Sequence, residues 1–259
     1  MLRFIAGLPV VSVLFCGLAV AEALPDFERE ARLRDEIVDV IFDGEPIDLT
    51  VGGRTFLAID MAPDGDAKGA VVLLHGRGFH PNWDAVIKPL RIGLADDGWR
   101  TLSLQMPVLE KSAKYNDYVP VFPQAVERIE AALAYLRAEG VNTIVVLAHS
   151  CGFHMANHWL LNRPERHIDA LIAIGAGATD YRQPQQEPFA FSQLDIPILD
   201  VYGERDYPAV LRKAATRQRG LNHPQSTQIA VTGSDHDHSD NHDALLRVVA
   251  EWLRTLNRS

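Results

Sequence analysis

The sequence is short of cysteine, of positive charge and, past its first residues, of long apolar runs. Two cysteines in 259 residues, Cys16 and Cys151, cannot build the disulfide framework of a small secreted scaffold. Lysine and arginine total 25 against 34 acidic residues, a net charge of −9. No basic run and no basic stripe interleaved with aromatics is present, which excludes nucleic acid as a partner. Beyond residue 21 no apolar run reaches the roughly 18 residues of a spanning helix, so the body of the chain has no membrane span. Internal repeats and long low-complexity linkers are also missing. What remains is 47% hydrophobic, 8% aromatic and 23% charged, the balance of a globular chain rather than a disordered, collagen-like or coiled-coil one.

The amino terminus stands apart. Arg3 supplies a short positive region, and Phe4 to Val20 is largely apolar. Ala19-Val20-Ala21 places small residues where a signal peptidase reads, and acidic sequence follows. Residues 1–21 are therefore expected to be an export signal. The competing reading is a retained anchor, for which the stretch is short against the about 20 residues a bilayer needs. The protein is expected outside the cytoplasm, in the periplasm of a Gram-negative cell or secreted from any other. Cleavage would leave Cys151 as the remaining cysteine and residues 22–259 as one domain.

Along that body the pattern begins with a polar segment over residues 22–36, a short helix or an extended lead-in. Strand-like runs follow at Ile37–Phe42, Ile47–Val51 and Thr55–Met61, with Gly52-Gly53 as a hairpin signal between the last two. Strands then alternate with helices. Ala70–Leu74, Trp99–Leu104, Thr143–Ala148, Ala170–Ile174, Ile196–Val201 and Gln228–Thr232 read as strands. Trp83–Ala95, Pro123–Glu139, Gly152–Leu161, Tyr207–Arg219 and His242–Leu256 read as helices. Such alternation predicts an α/β fold, a mostly parallel sheet with helices on both faces.

Ligands of such sheets sit beyond the carboxyl ends of the strands, so the residues there carry the functional reading. After Thr143–Ala148 comes His149-Ser150-Cys151-Gly152 and then a helix. A serine on a sharp strand-to-helix turn needs small residues two positions away on each side, and Ala148 and Gly152 meet that need. The bland alternative is a helix-capping serine. Cys151 as nucleophile would have the bulky His149 and Phe153 in those places, so it reads as a buried flanking residue. Ala70–Leu74 ends in His75-Gly76-Arg77-Gly78, whose glycines allow close backbone approach to the serine. Past Ile196–Val201 lies Tyr202-Gly203-Glu204-Arg205-Asp206, in which Asp206 is the acid suited to orient an imidazole. Asp200 reads as structural, and Glu204 and Asp180 as lesser candidates. The last strand ends in Gly233-Ser234-Asp235-His236, making His236 the candidate general base, with His238 in reserve.

These motifs resemble the α/β-hydrolase superfamily over roughly residues 50–257, and within it a group of exported bacterial hydrolase-like proteins of unassigned function. Ala148 departs from the commonest elbow, which has glycine there. The resemblance implies an α/β-hydrolase fold with an eight-stranded, mostly parallel sheet and a Ser150–Asp206–His236 triad. It also implies an oxyanion hole from the N–H of Cys151 and one of Arg77 or Gly78. The implied activity is that of a serine esterase on a small-molecule ester, without cofactor or metal. Tyr115, Tyr118, Phe122, Phe79, Trp83, Pro184, Pro188, Phe189 and Phe191 are candidates for an apolar acyl pocket or for core packing.

Two other readings compete. The run Asp235-His236-Asp237-His238-Ser239-Asp240-Asn241-His242-Asp243 has zinc-ligand chemistry, but no His or Cys follows it to complete a site. The hydrolase fold can also serve a non-catalytic binding or assembly role in the cell envelope.

Overall fold

The computed structural model describes residues 23–165 and 167–256. The export signal expected over residues 1–21 lies outside them. The chain begins with helix α1 (Phe27–Val38), then the hairpin β1 (Glu45–Val51) and β2 (Arg54–Met61). Next come β3 (Ala70–Leu74), α2 (Ile87–Asp96), β4 (Arg100–Leu104), the short α3 (Tyr115–Tyr118) and α4 (Phe122–Ala138). The second half runs β5 (Ile144–His149), α5 (Cys151–Asn162), β6 (Ala170–Ile174), β7 (Ile198–Gly203), α6 (Pro208–Arg219), β8 (Thr227–Val231) and α7 (His242–Leu256).

All eight strands join one sheet in the order β1-β2-β4-β3-β5-β6-β7-β8. β2 is antiparallel to both its neighbours, and every other pair is parallel. The hairpin turns at Gly52 and Gly53, both with positive φ (56° and 78°), the form whose twist matches paired strands. The central strands are apolar throughout because both faces are covered. On β3, Val72 and Leu74 pack with Phe122, Ile129 and Trp159 of α4 and α5. Val71 and Leu73 pack on the other face with Leu90 and Leu94 of α2 and Val249 and Leu253 of α7. Among the described residues no helix is long and apolar enough to cross a membrane.

The strand expected at Ile37–Phe42 does not form. Ile37 and Val38 close α1 instead, and the chain turns before β1. β1 already covers the outer edge of β2, so this β-branched run has no strand to pair with. Helical geometry lets Ile37 bury against Leu57 and Ile59, while Phe42 is left exposed. The helix expected from Trp83 begins at Ile87: residues 84–86 form a turn closed by the Lys88 N–H on the Trp83 carbonyl, and Trp83 stacks on Phe79 at 3.7 Å between ring centres. β7 starts two residues later than expected and ends at Gly203, which brings Asp206 close to the strand end.

Candidate active site

The three loops that follow β5, β7 and β8 converge on one hydrogen-bonded chain. Ser150 Oγ–H donates to His236 Nε2 at 2.8 Å, and His236 Nδ1–H donates to Asp206 Oδ1 at 2.6 Å. Asp206 and His236 are buried, while Ser150 is half-buried. The acid is held in turn by the backbone: Oδ1 accepts from the Tyr207 N–H at 2.6 Å and Oδ2 from the Gly203 N–H at 3.2 Å. The Tyr207 ring stacks on His236 with centres 4.1 Å apart.

The serine sits on a turn made by backbone sterics. Its φ is +55° with ψ −117°, a conformation rare for a residue with a side chain and costing on the order of 1–3 kcal/mol. The Ser150 N–H donates to the Ile174 carbonyl of β6 at 2.9 Å, tying the turn to the sheet. Gly152 lets α5 start against β3. A Cβ there would lie 2.5 Å from the His75 oxygen and 2.6 Å from the Leu74 oxygen. The small residue is thus required by the neighbouring strand, rather than by the far side of the turn itself. A Cβ on Gly76 would lie 3.3 Å from the Ser150 Cβ, the close approach expected of this loop.

The first N–H groups of a helix have no partner inside it. Cys151 at the start of α5, Arg77 in the loop after β3 and Ser150 together line a pocket of about 50 Å³. Gly78 is not among its lining residues; its carbonyl accepts from Arg29 Nη2 at 2.8 Å. Tyr115, Ala178, Thr179, Asp180 and Tyr207 complete the pocket. Burial pushes the Cys151 thiol up to about 12, so it carries no thiolate near neutrality.

Several residues to which the sequence reading gave no supporting role hold this arrangement. His149, fully buried between the rings of Trp83 and His236, donates from Nε2 to the His236 carbonyl at 3.1 Å. Burial, reinforced by the neighbouring His236, keeps its protonation far below the usual imidazole range. His75 donates from Nδ1 to the Gly76 carbonyl at 2.7 Å and accepts the Met106 N–H at 2.9 Å. Burial lowers it to about 3, so it stays neutral. Gly175, with φ +61°, leaves room for the imidazole, since a Cβ there would lie 2.7 Å from His236 Cε1. Arg29 of α1 bonds the Leu109 carbonyl as well as Gly78, pinning the loop after β3. No local sequence signal marks these partners.

The lesser candidates have other work. Asp180 pairs with Arg77 across the pocket and accepts the Tyr115 N–H at 2.8 Å. Asp200 is fully buried against Arg217 Nε at 2.8 Å and Gln228 Nε2 at 2.6 Å, a structural ion pair. Glu204 accepts the Gly233 N–H at 2.8 Å. His238 is buried with neither ring nitrogen bonded, and burial lowers it to about 4. Of the aromatic candidates only Tyr115 lines the pocket beside Ser150. Phe122, Phe189 and Phe191 pack in the core, and Phe79 and Trp83 stack on each other. His149, His236 and Asp237 offer three metal-type donors within 4.8 Å of one another. Both His236 nitrogens are already bonded, so a cation there would compete with Ser150 and Asp206.

The eight-stranded sheet, the turn at Ser150 and the loops beyond the strand ends define an α/β-hydrolase fold. Solved structures with this architecture match over nearly their whole length. An α/β serine hydrolase homologue from Coxiella burnetii aligns with a TM-score of 0.64 at 17% identity, over 82% of this chain and 98% of that one. Est1E from Butyrivibrio proteoclasticus aligns at 0.64 and 14%, over 83% and 100%. An esterase from Pyrococcus furiosus aligns at 0.62 and 16%, over 83% and 93%. The chain itself belongs to the family described as "Protein of unknown function (DUF3530)", whose model matches residues 22–120 and 121–255. No curated protein sequence matches it.

Proposed function

We propose that this protein is a serine hydrolase acting on small carboxylic esters, with Ser150 as nucleophile, His236 as general base and Asp206 orienting it. The observation that carries the reading is the unbroken chain from Ser150 Oγ through His236 to Asp206, at 2.8 and 2.6 Å. Ser150 Oγ attacks the carbonyl carbon as its proton passes to His236 Nε2. The oxyanion is met by the N–H of Cys151 and one from Arg77 or Gly78, donors each worth about 100- to 1,000-fold in rate. Collapse expels the alcohol, which takes the proton from His236. Water then attacks the acyl-serine, again through His236, releasing the carboxylic acid and restoring the Ser150 hydroxyl. The space directly beside Ser150 is small, about 50 Å³, and we assign a short acyl group to it; it opens past Thr179, Asp180 and Tyr207 onto a larger groove. Export belongs to the same proposal. We place the enzyme in the periplasm or the medium on the signal read in residues 1–21; the family match begins just after it, at residue 22.

A fluorophosphonate probe on purified protein tests the reading. Wild type is expected to label at Ser150 and Ser150→Ala to stay unlabelled at the same melting temperature. On 4-nitrophenyl esters, activity is expected to fall steeply from acetate to longer acids. Folded wild-type protein that neither labels nor cleaves any ester would instead establish a non-catalytic role for the fold.

A further inference from the structure

The pocket beside Ser150 does not end at its own walls. Thr179, Asp180 and Tyr207 also line a second, larger groove of about 920 Å³ that runs between the loop after β6 and the start of α6. Its charge is opposite to that of the chain as a whole. Arg182, Arg212 and Lys213 line it, in a protein of net charge −9. Its one acid, Asp180, is already neutralised by Arg77. Lys213 is half-buried and donates only to neutral acceptors, the Gly177 carbonyl and Gln185 Oε1, each at 3.0 Å. Burial, then the nearby Arg217 and Arg212, lower its ammonium to about 8. Like charges gathered without a counter-ion raise the energy of the empty groove, and an anion relieves it. Arg182 is held at φ +61° with its guanidinium 5.0 Å from the Tyr181 ring centre, and Tyr181 is 84% exposed. Exposed tyrosine faces beside unpaired guanidinium groups suit a planar anionic group.

We propose that this groove is an anion subsite, and that the substrates are short-chain esters whose alcohol or phenol portion carries a carboxylate. The proposal rests on the hydrolase reading above. The acyl group fills the small pocket, and the departing alcohol extends past Tyr207 toward Arg182, Arg212 and Lys213. It adds no chemical step to the hydrolysis already described.

Two arms test it separately from the hydrolase reading. In the kinetic arm, 4-acetoxybenzoate is compared with its neutral methyl ester, each kcat/KM divided by the rate of the same ester with hydroxide. A preference of about tenfold or more for the anion is expected, falling to near unity in the Arg182→Gln/Arg212→Gln double variant. Arg34→Gln, which removes a cation paired with Asp48 at the opposite edge of the sheet, is expected to keep the preference. In the binding arm, calorimetry on Ser150→Ala measures 4-acetoxybenzoate and the same methyl ester directly. Tighter binding of the anion, lost in the double-arginine background, supports the subsite even if no ester is cleaved; in that event only the hydrolase reading falls. Equal binding of the two ligands, or a preference untouched by the double variant, overturns the subsite even if esters are cleaved.

Discussion

The turn that carries Ser150 and the loop that carries His236 meet across 2.8 Å, yet they are built by different means. The serine turn is fixed by main chain against main chain. Its φ of +55°, its N–H on the Ile174 carbonyl and the seat of Gly152 on the Leu74 and His75 oxygens leave no freedom. The imidazole loop has a main-chain seat of its own, Gly203 against the Ser234 and Asp235 oxygens and the Arg205 N–H on the Ser234 carbonyl, but adds polar side-chain contacts to it. His149 bonds its carbonyl, Asp206 bonds its ring and Tyr207 covers it. It also carries His238, buried without a hydrogen-bond partner. Overcrowding threatens both, while the unpartnered His238 makes the second the more open to a change in charge.

Gly152→Ala is the strongest test of the serine side. Its Cβ meets two backbone oxygens that cannot swing away, so a loss of about 3 kcal/mol is expected. For a chain of this length that lowers the melting temperature by roughly 6–12 °C. Fluorophosphonate labelling should vanish with it. Wild-type labelling and melting in this variant would show that the turn is not set by β3.

Gly175→Ala probes the contact between the two. Its Cβ would meet the His236 ring rather than backbone, so the imidazole yields first. A fall of about 100-fold in kcat is expected, equivalent to about 2.7 kcal/mol, with a smaller loss of stability from the positive φ. Equal losses in melting and rate would place the damage in the fold instead.

Acid separates the regions further. His149 and His238 are neutral in the folded protein, with protonation pushed below the ordinary value of 6.5, to about 4 for His238. The unfolded chain therefore binds more protons below 6.5. Their contribution is complete above that pH and is lost as pH falls toward 4, by up to about 1.4 kcal/mol per unit for each imidazole. His154 in α5 is also lowered to about 4 by burial, but its Nε2 bonds the Ala178 carbonyl at 2.8 Å whereas His238 has no partner, so hydrogen exchange is expected to quicken at residues 234–241 before the amides of α5 respond. Simultaneous opening of both would mean that the loop is not the weaker half.

The smallest effect concerns Cys151. With its thiol buried and raised to about 12, native protein should resist iodoacetamide at pH 8 and react after denaturation. Modification of native protein at the denatured rate would show that the start of α5 opens readily.

The serine side was the more readable from sequence. A small residue, serine and glycine between a buried strand and a helix is a local pattern, and Asp206 and His236 follow from loop order along the sheet. The supports of the imidazole loop were not readable. His149 and Gly175 act on His236 only after residues 87 and 61 positions apart are folded together, and no spacing encodes that approach. The extra strand expected at Ile37–Phe42 fails for a related reason. Its β-branched residues answer to local preference, while the sheet edge they would need is already taken by β1.

The ion pair between Arg77 and Asp180 ties together two loops from opposite sides of the pocket. One of those loops carries Arg77 beside Ser150, and the other opens onto the larger groove. Neither side chain bonds Ser150, so a change at either residue is expected to act on the pocket walls before it acts on the serine turn. On the proposed hydrolase reading, ligand range is therefore expected to be adjustable through this clasp with Ser150 left intact.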